Sequence, residues 1–211
     1  DTARFMPRQG EPRHEEIKKQ FPKDAVIIGS VLRFEEIKDP MNLVNAFIEA
    51  SPRAEELGVK LCLAMIGDGP LRETAVAALE QAGLSELTWL PGSRDDIPEL
   101  MRSFDVFVLG SRREGISNTV LEAMSSGVPV VATNTGGNAE LVRSKETGEL
   151  VEPEDSDALA EAVLRYAYDS ALRERCGAQA RETAVKEYSL KVMIDKYQHM
   201  YREEIDGRGS A

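Results

Sequence analysis

Cysteine, histidine and tryptophan are scarce: two, two and one in 211 residues. Cys62 and Cys176 stand far apart, so the sequence carries neither a disulfide framework nor the paired spacing of a zinc site, a usage that fits a reducing compartment. No apolar run approaches the roughly 18 residues of a membrane-crossing helix, and no signal-peptide pattern is visible. Basic residues are also outnumbered, 26 against 37 acidic, for a net charge of −11. A surface this acidic repels nucleic acid and anionic lipid, which need a basic face. Any phosphate ligand must therefore be held by a local site working against the field of the whole chain.

The common nucleotide and hydrolase signatures are missing too. Gly67-x-Gly69 comes nearest to G-x-G-x-x-G, but Arg72 stands where the third glycine belongs. No Gly-Lys pair exists to make a P-loop. The run Gly115-Ile116-Ser117-Asn118-Thr119 fails as a nucleophile elbow because Thr119 replaces its final glycine. His14 and His199 fall in expected terminal helices and read as solvated groups, which removes the base of a hydrolytic triad. Asp155-Ser156-Asp157 reads as a helix cap ahead of Ala158-Leu159-Ala160 rather than as a metal site, and no metal is expected.

What is present is a regular alternation. The chain is 42% apolar and 30% charged, the composition of a globular domain. Strands are expected over 25–32, 61–66, 87–90, 105–109 and 128–132. Between them, Asp39-Pro40 opens a helix whose Leu43, Val44, Phe47 and Ile48 share one face. Pro70 starts another helix that Gly83 stops, the loop 91–94 leads to a helix over 95–102, and a helix over 118–126 is stopped by Gly127. Residues 156–205 read as helices only. The pattern implies an α/β fold: a Rossmann-like, doubly wound parallel sheet followed by C-terminal helices. We expect one domain over 1–211, with a core over about 13–187, a trailing helix over 188–205, and mobile ends at 1–12 and 207–211.

The most informative stretch is 111–124. It follows a strand and opens a helix, and ligands of such sheets bind at the carboxyl ends of strands. A helix start offers free N–H groups and the positive end of the dipole. Gly115 lets backbone approach a ligand, Ser117 or Asn118 can cap, and Glu122, one turn in, can accept from vicinal hydroxyls. Glu114 lies in the loop before the helix; on chemistry alone, both glutamates read equally well as ordinary surface groups. Arg33 and Lys38 flank the loop after the first strand and could neutralise a diphosphate, or could be two solvated cations. Thr135-Gly136-Gly137-Asn138 reads equally as a third anion-friendly helix start or as a tight loop.

Taken in order, these residues carry a resemblance. Arg33 and Lys38, the turn Gly67-Asp68-Gly69-Pro70, the loop Leu90-Pro91-Gly92-Ser93-Arg94, the pair Glu114 and Glu122 with seven residues between them, Gly136-Gly137-Asn138-x-Glu140 and Thr147-Gly148-x-Leu150-Val151 resemble the C-terminal half of retaining glycosyltransferases of the two-Rossmann-domain (GT-B) type, the glycosyl transferases group 1 family. The wording Glu-Gly-Ile-Ser-Asn-Thr is similar to bacterial sugar transferases of exopolysaccharide systems. Leu109-Gly110-Ser111 departs from the usual Leu-Pro-Ser.

The resemblance implies a nucleotide diphospho-sugar donor (UDP-, GDP- or ADP-sugar), with no further cofactor. It implies Arg33, Lys38 and Glu114 as catalytic residues, the cations on the leaving diphosphate and Glu114 beside the donor sugar. It implies Gly115, Ile116, Ser117, Asn118, Thr119, Val120, Glu122 and Arg94 as donor-binding, with Glu122 on the ribose hydroxyls and Arg94 beside the base. A double displacement needs two carboxylates about 5 Å apart across the bond; with Glu122 on ribose, front-side transfer assisted by the leaving diphosphate is the expected route. The chain begins at Asp1, and an acceptor-binding N-terminal half is expected to be missing from it, leaving 1–211 inactive alone. A cytoplasmic location is expected, peripheral to the inner membrane face through that half. The alternatives are a GT-B epimerase or phosphorylase and a non-catalytic nucleotide-binding module.

Overall fold

A computed structural model describes residues 1–208, and the side chains of 1–203. A short helix α1 (Glu15–Gln20) precedes β1 (Val26–Val31), α2 (Pro40–Glu56), β2 (Leu61–Ile66), α3 (Arg72–Gln81) and β3 (Thr88–Gly92). Then come α4 (Ile97–Met101), β4 (Val106–Leu109), α5 (Asn118–Ser125), β5 (Val130–Thr133), α6 (Asn138–Leu141) and β6 (Gly148–Val151). Helices α7 (Ser156–Tyr168), α8 (Ser170–Glu187) and α9 (Leu190–Arg208) end the described chain.

All six strands are parallel, in the order β3-β2-β1-β4-β5-β6. This is the doubly wound order, whose winding reverses between β1 and β4. The strands β1, β2, β4 and β5 are apolar and buried almost throughout, because helices cover both faces. Helix α2 packs on α3 and α7, and α5 packs on α8, which makes the two covering layers. Burial of the apolar stripe decides these helices more than propensity does: α2 keeps Pro52 in its interior, yet buries Leu43, Val44, Ala46, Phe47, Ala50 and Ala54. The cysteines are free and fully buried, and burial pushes the Cys62 thiol up to about 11, so it serves as a small apolar core residue.

Four expectations need correction. Strand β3 runs through Pro91 and Gly92, which read as loop; it lies at the sheet edge, where proline costs no ladder bond on its outer side. Helix α3 starts at Arg72 rather than Pro70, because Leu71 donates its N–H to Phe34 O (2.9 Å) and is held in the turn. Strand β6 was not foreseen; it is four residues, half of them only partly buried. Within segment 1–12, expected to be mobile, residues 2–5 are tied down: Phe5 is buried, and Arg181 donates to Phe5 O (2.9 Å), Thr2 O (3.1 Å) and Ser125 O (2.6 Å), while residues 8–12 are exposed. Of the other expected mobile end, residues 209–211 lie outside the described residues.

Candidate donor-binding cleft

The site is built where three strand-end loops meet. The first, after β1, is propped from the β2 side. Gly67 has φ 134°, and a Cβ there would stand 1.8 Å from Leu32 O, so only glycine permits the β2 turn to close against Leu32. Phe34 donates its N–H to Asp68 O (2.9 Å). The loop then makes a 3₁₀ turn (Glu36–Lys38) and enters α2 through Asp39, whose Oδ1 accepts from Asn42 N–H (3.3 Å).

The second loop, 110–117, is stitched to the first. Arg112 donates its N–H to Ile37 O (3.0 Å) and its Nε–H to Asp39 Oδ2 (2.9 Å). Lys38 Nζ donates to both carboxylate oxygens of Glu114, at 2.7 and 2.8 Å. Ser111 Oγ donates to the same Glu114 Oε1 (2.6 Å). The third loop, after β5, supports the second from behind. Thr133 Oγ1 donates to Ser111 O (2.5 Å), Thr135 Oγ1 to Arg112 O (3.1 Å), and Gly137 N–H to Gly115 O (2.8 Å). Thr135-Gly136-Gly137-Asn138 here acts as a buttressing loop: Thr135 Oγ1 and Gly137 N–H bond the neighbouring loop, and the helix it opens is four residues long.

Between the first two loops, at the switch point, lies an open cleft of about 440 Å³. Among the expected site residues, Arg33, Lys38, Arg94, Glu114, Ile116, Ser117, Asn118 and Thr119 line it. Three are cations and one is an anion, in a chain of net charge −11; each cation is paired with a carboxylate, of which only that of Glu114 lines the cleft. Leu32, Ile66 and Ile97 supply its apolar wall. Arg94 is fixed by two bonds to Asp96, at 2.9 and 2.5 Å, and its guanidinium carbon lies 5.7 Å from the Trp89 ring centroid. Arg33 is exposed at the rim and pairs with Glu35 (2.9 Å).

Ser117, not Asn118, caps α5: its Oγ accepts from Val120 N–H at 3.4 Å. The first intrahelical bond is Leu121 N–H to Ser117 O (3.2 Å), which leaves the N–H groups of Asn118 and Thr119 without an intrahelical partner. Val120 is fully buried and its N–H is already used, so it does not face the cleft. Gly115 and Glu122 are not among the lining residues either. Glu122 sits one turn into α5 and is half-buried; burial pushes its carboxyl above the ordinary range, with nearby positive charge including Arg4 opposing. A carboxyl raised in the folded state adds stability below its unfolded pKa and loses it as pH rises through the folded value. Glu122→Gln is therefore expected to gain stability over the parent as pH rises from 4 to 8, read by urea midpoints; a gain that shrinks over that range would contradict the burial account.

The other candidates resolve plainly. His14 is not solvated: its Nδ1 accepts from Glu16 N–H (3.2 Å) as the α1 cap, and its Nε2 lies 3.1 Å from Asp96 Oδ2. His199 is exposed, beside Glu203. Asp155 caps α7, accepting from Ala158 N–H at 2.8 Å. Among the described residues no cluster of three metal-ligating side chains occurs, and no helix is long and apolar enough to cross a membrane. Sequence reasoning assigned no role to Ser111, Arg112 and Thr133; Ser111 Oγ reaches Glu114 within its own loop, while the partners of Arg112 and Thr133 lie on other loops and leave no local pattern.

This architecture has known counterparts. A C-terminal domain of a glycosyl transferase group 1 family protein (LpcC) from Francisella tularensis superposes with a TM-score of 0.81 at 26% identity, covering 90% of this chain and 98% of that one. Anabaena HepE, solved in complex with UDP-glucose, superposes with a TM-score of 0.84 at 20% identity over 96% of this chain and 55% of its own, a likeness of fold. In sequence, the lipopolysaccharide core biosynthesis glycosyltransferase LpsE of Rhizobium meliloti is 32% identical over 176 residues, 83% of this chain and 49% of that protein. The N-acetyl-alpha-D-glucosaminyl L-malate synthase of Bacillus anthracis is 27% identical over 88% of this chain and 48% of its own length. The chain thus spans about half the length of the curated relatives it matches. The family model for glycosyl transferases group 1 matches residues 13–183, which includes every strand and every loop of the cleft, and the chain belongs to that family.

Proposed function

We propose that this chain is the donor-binding domain of a retaining glycosyltransferase, which takes a nucleotide diphospho-sugar and passes the sugar to a glycan or lipid-linked acceptor in bacterial polysaccharide synthesis. One observation carries the reading. Two cations from the first loop and two free N–H groups of α5 border the same cleft in an acidic protein. A pyrophosphate is the ligand that uses all four. Supporting it, HepE was solved with UDP and with UDP-glucose on the same fold, and the relatives include glycosyltransferases of lipopolysaccharide synthesis.

In this reading Lys38 and Arg33 stabilise charge on the diphosphate as it leaves, help aimed where charge develops. The N–H groups of Asn118 and Thr119 add to it. Glu114 borders the sugar, Arg94 and the apolar wall border the base, and Glu122, outside the cleft lining, is assigned to the ribose on the family resemblance alone. With the cations neutralising the leaving group, the step is a front-side displacement that retains configuration. Transfer itself requires an acceptor-binding partner half, so residues 1–211 bind donor without turning it over, in the cytoplasm, peripheral to the inner membrane face through that half. The epimerase and phosphorylase readings, and the non-catalytic module, have no observation here that favours them.

Calorimetry on residues 1–211 is expected to show UDP, GDP or ADP binding with a Kd near the high-micromolar range, weakened about tenfold, or 1.4 kcal/mol, by Glu122→Ala. No heat with any of the three nucleotides would overturn the proposal; unchanged affinity in Glu122→Ala would remove that residue from the site.

A further inference from the structure

We propose that Ser111 is a positioning residue, which holds the Glu114 carboxylate in place while Lys38 is drawn to a diphosphate, so that Glu114 Oε2 becomes the acceptor for a hydroxyl of the donor sugar. The inference rests on the donor-binding reading above and deepens it.

The two carboxylate oxygens of Glu114 are held unequally. Its side chain is 4% exposed, and that of Lys38 is 22% exposed. Oε1 accepts from two donors, Ser111 Oγ at 2.6 Å and Lys38 Nζ at 2.7 Å. Oε2 accepts from Lys38 alone, at 2.8 Å. The ammonium that faces the cleft is therefore already committed to a carboxylate in the unliganded site. A diphosphate entering the cleft carries more charge than Glu114 and competes for the same three N–H donors. As Lys38 turns toward it, Glu114 loses its cation, and a nearly buried carboxylate left without partners is strongly disfavoured.

Ser111 is placed to prevent that. It is fully buried, and its own backbone is clamped where Thr133 Oγ1 donates to Ser111 O at 2.5 Å. Its hydroxyl thus keeps hold of Oε1 from the wall side. Lys38 releases both oxygens, but only Oε2 is left with no other donor among the described residues, and it belongs to a residue that lines the cleft. A sugar hydroxyl attached to the diphosphate arrives with that same movement and can donate to Oε2. Lys38 then binds the phosphate end and Glu114 the sugar end, and neither is left buried and unpaired. The exchange ties recognition of the sugar to recognition of the diphosphate.

The test compares UDP with UDP-glucose by calorimetry on residues 1–211, for the parent and for Ser111→Ala, Ser111→Cys and Glu114→Gln. Cysteine keeps the shape of serine with a somewhat larger, weakly donating atom, alanine removes the donor without adding bulk, and melting temperatures check that each variant is folded. The parent is expected to bind UDP-glucose about fivefold more tightly than UDP. Both Ser111 variants are expected to keep UDP affinity within about twofold while losing that sugar-dependent gain, and Glu114→Gln to lose the gain as well. A merely structural role would instead weaken both ligands in proportion. Such proportional loss, a gain that survives in both Ser111 variants, or a parent that gains nothing from the glucose moiety would each overturn the inference while leaving donor binding intact. Failure of the parent to bind UDP would instead overturn the donor-binding reading for this base, and this inference with it.

Discussion

Lys38→Met is expected to lower nucleoside diphosphate affinity at least about a hundredfold, or 2.7 kcal/mol, and to destabilise the fold as well. The two losses have different origins. Affinity falls because the ammonium is the least exposed of the cations lining the cleft, 22% against 29% for Arg94 and 67% for Arg33. A charge contact shielded from water is worth several times one at the rim. Stability falls because the Glu114 carboxylate, only 4% exposed, loses the cation that meets both of its oxygens. Removing one member of such a pair costs about 3 kcal/mol.

The double variant Lys38→Met, Glu114→Gln separates them. Removing the orphaned charge should restore most of the stability and none of the affinity, a coupling that a thermodynamic cycle with the two single variants measures. Urea midpoints and calorimetry on the same four proteins supply both axes. If the double variant recovered binding, diphosphate recognition would have to rest on Arg33 and the α5 N–H groups, and Lys38 would be a structural residue.

Much of this site is legible in the order of residues, and what is legible has a local cause. Asp39-Pro40 announces a helix start because a cap and a fixed φ act within a few residues, and α2 begins at Pro40. Ser117 and the run after it announce α5 for the same reason. The strands of the sheet interior are apolar on both faces and read as unbroken runs. Most of the failures lie where a distant partner decides. Strand β6 exists because Val130–Thr133 offers it a register, not because Gly-Glu-Leu-Val favours extension. Residues 2–5 are held by Arg181, which is distant in sequence. His14 leaves solvent because Asp96 is folded beside it. Ser111 and Thr133 are 22 residues apart and become neighbours only when β4 and β5 pair. Val120 read as part of a phosphate-binding run, but its N–H was claimed by the cap that starts the same helix. A run of residues near a ligand does not say which of their N–H groups are already spent.

The third loop supplies the contrast that tests how the site is supported. Gly136→Ala is expected to destabilise the protein by about 2–4 kcal/mol, whereas Gly115→Ala is expected to leave stability within about 0.5 kcal/mol of the parent. Gly136 has φ 52°, and a Cβ there would lie 1.8 Å from Glu114 O, a backbone atom with no flexible end to give way. Relief requires the β5 loop to withdraw from the loop that carries Glu114, which would also strain the bond from Gly137 N–H to Gly115 O. Gly115 is only one residue beyond Glu114, yet a Cβ there meets nothing within 4 Å and points into open space. The two glycines therefore serve different ends. Gly136 lets one loop brace another, and its substitution should lower stability and donor affinity together. Gly115 leaves room beside the cleft, and its substitution should lower affinity alone if a ligand approaches the backbone there. Equal stabilities for the two alanine variants would mean that the β5 loop yields freely, and the bracing that fixes Ser111 and Glu114 would have to come from β4 alone.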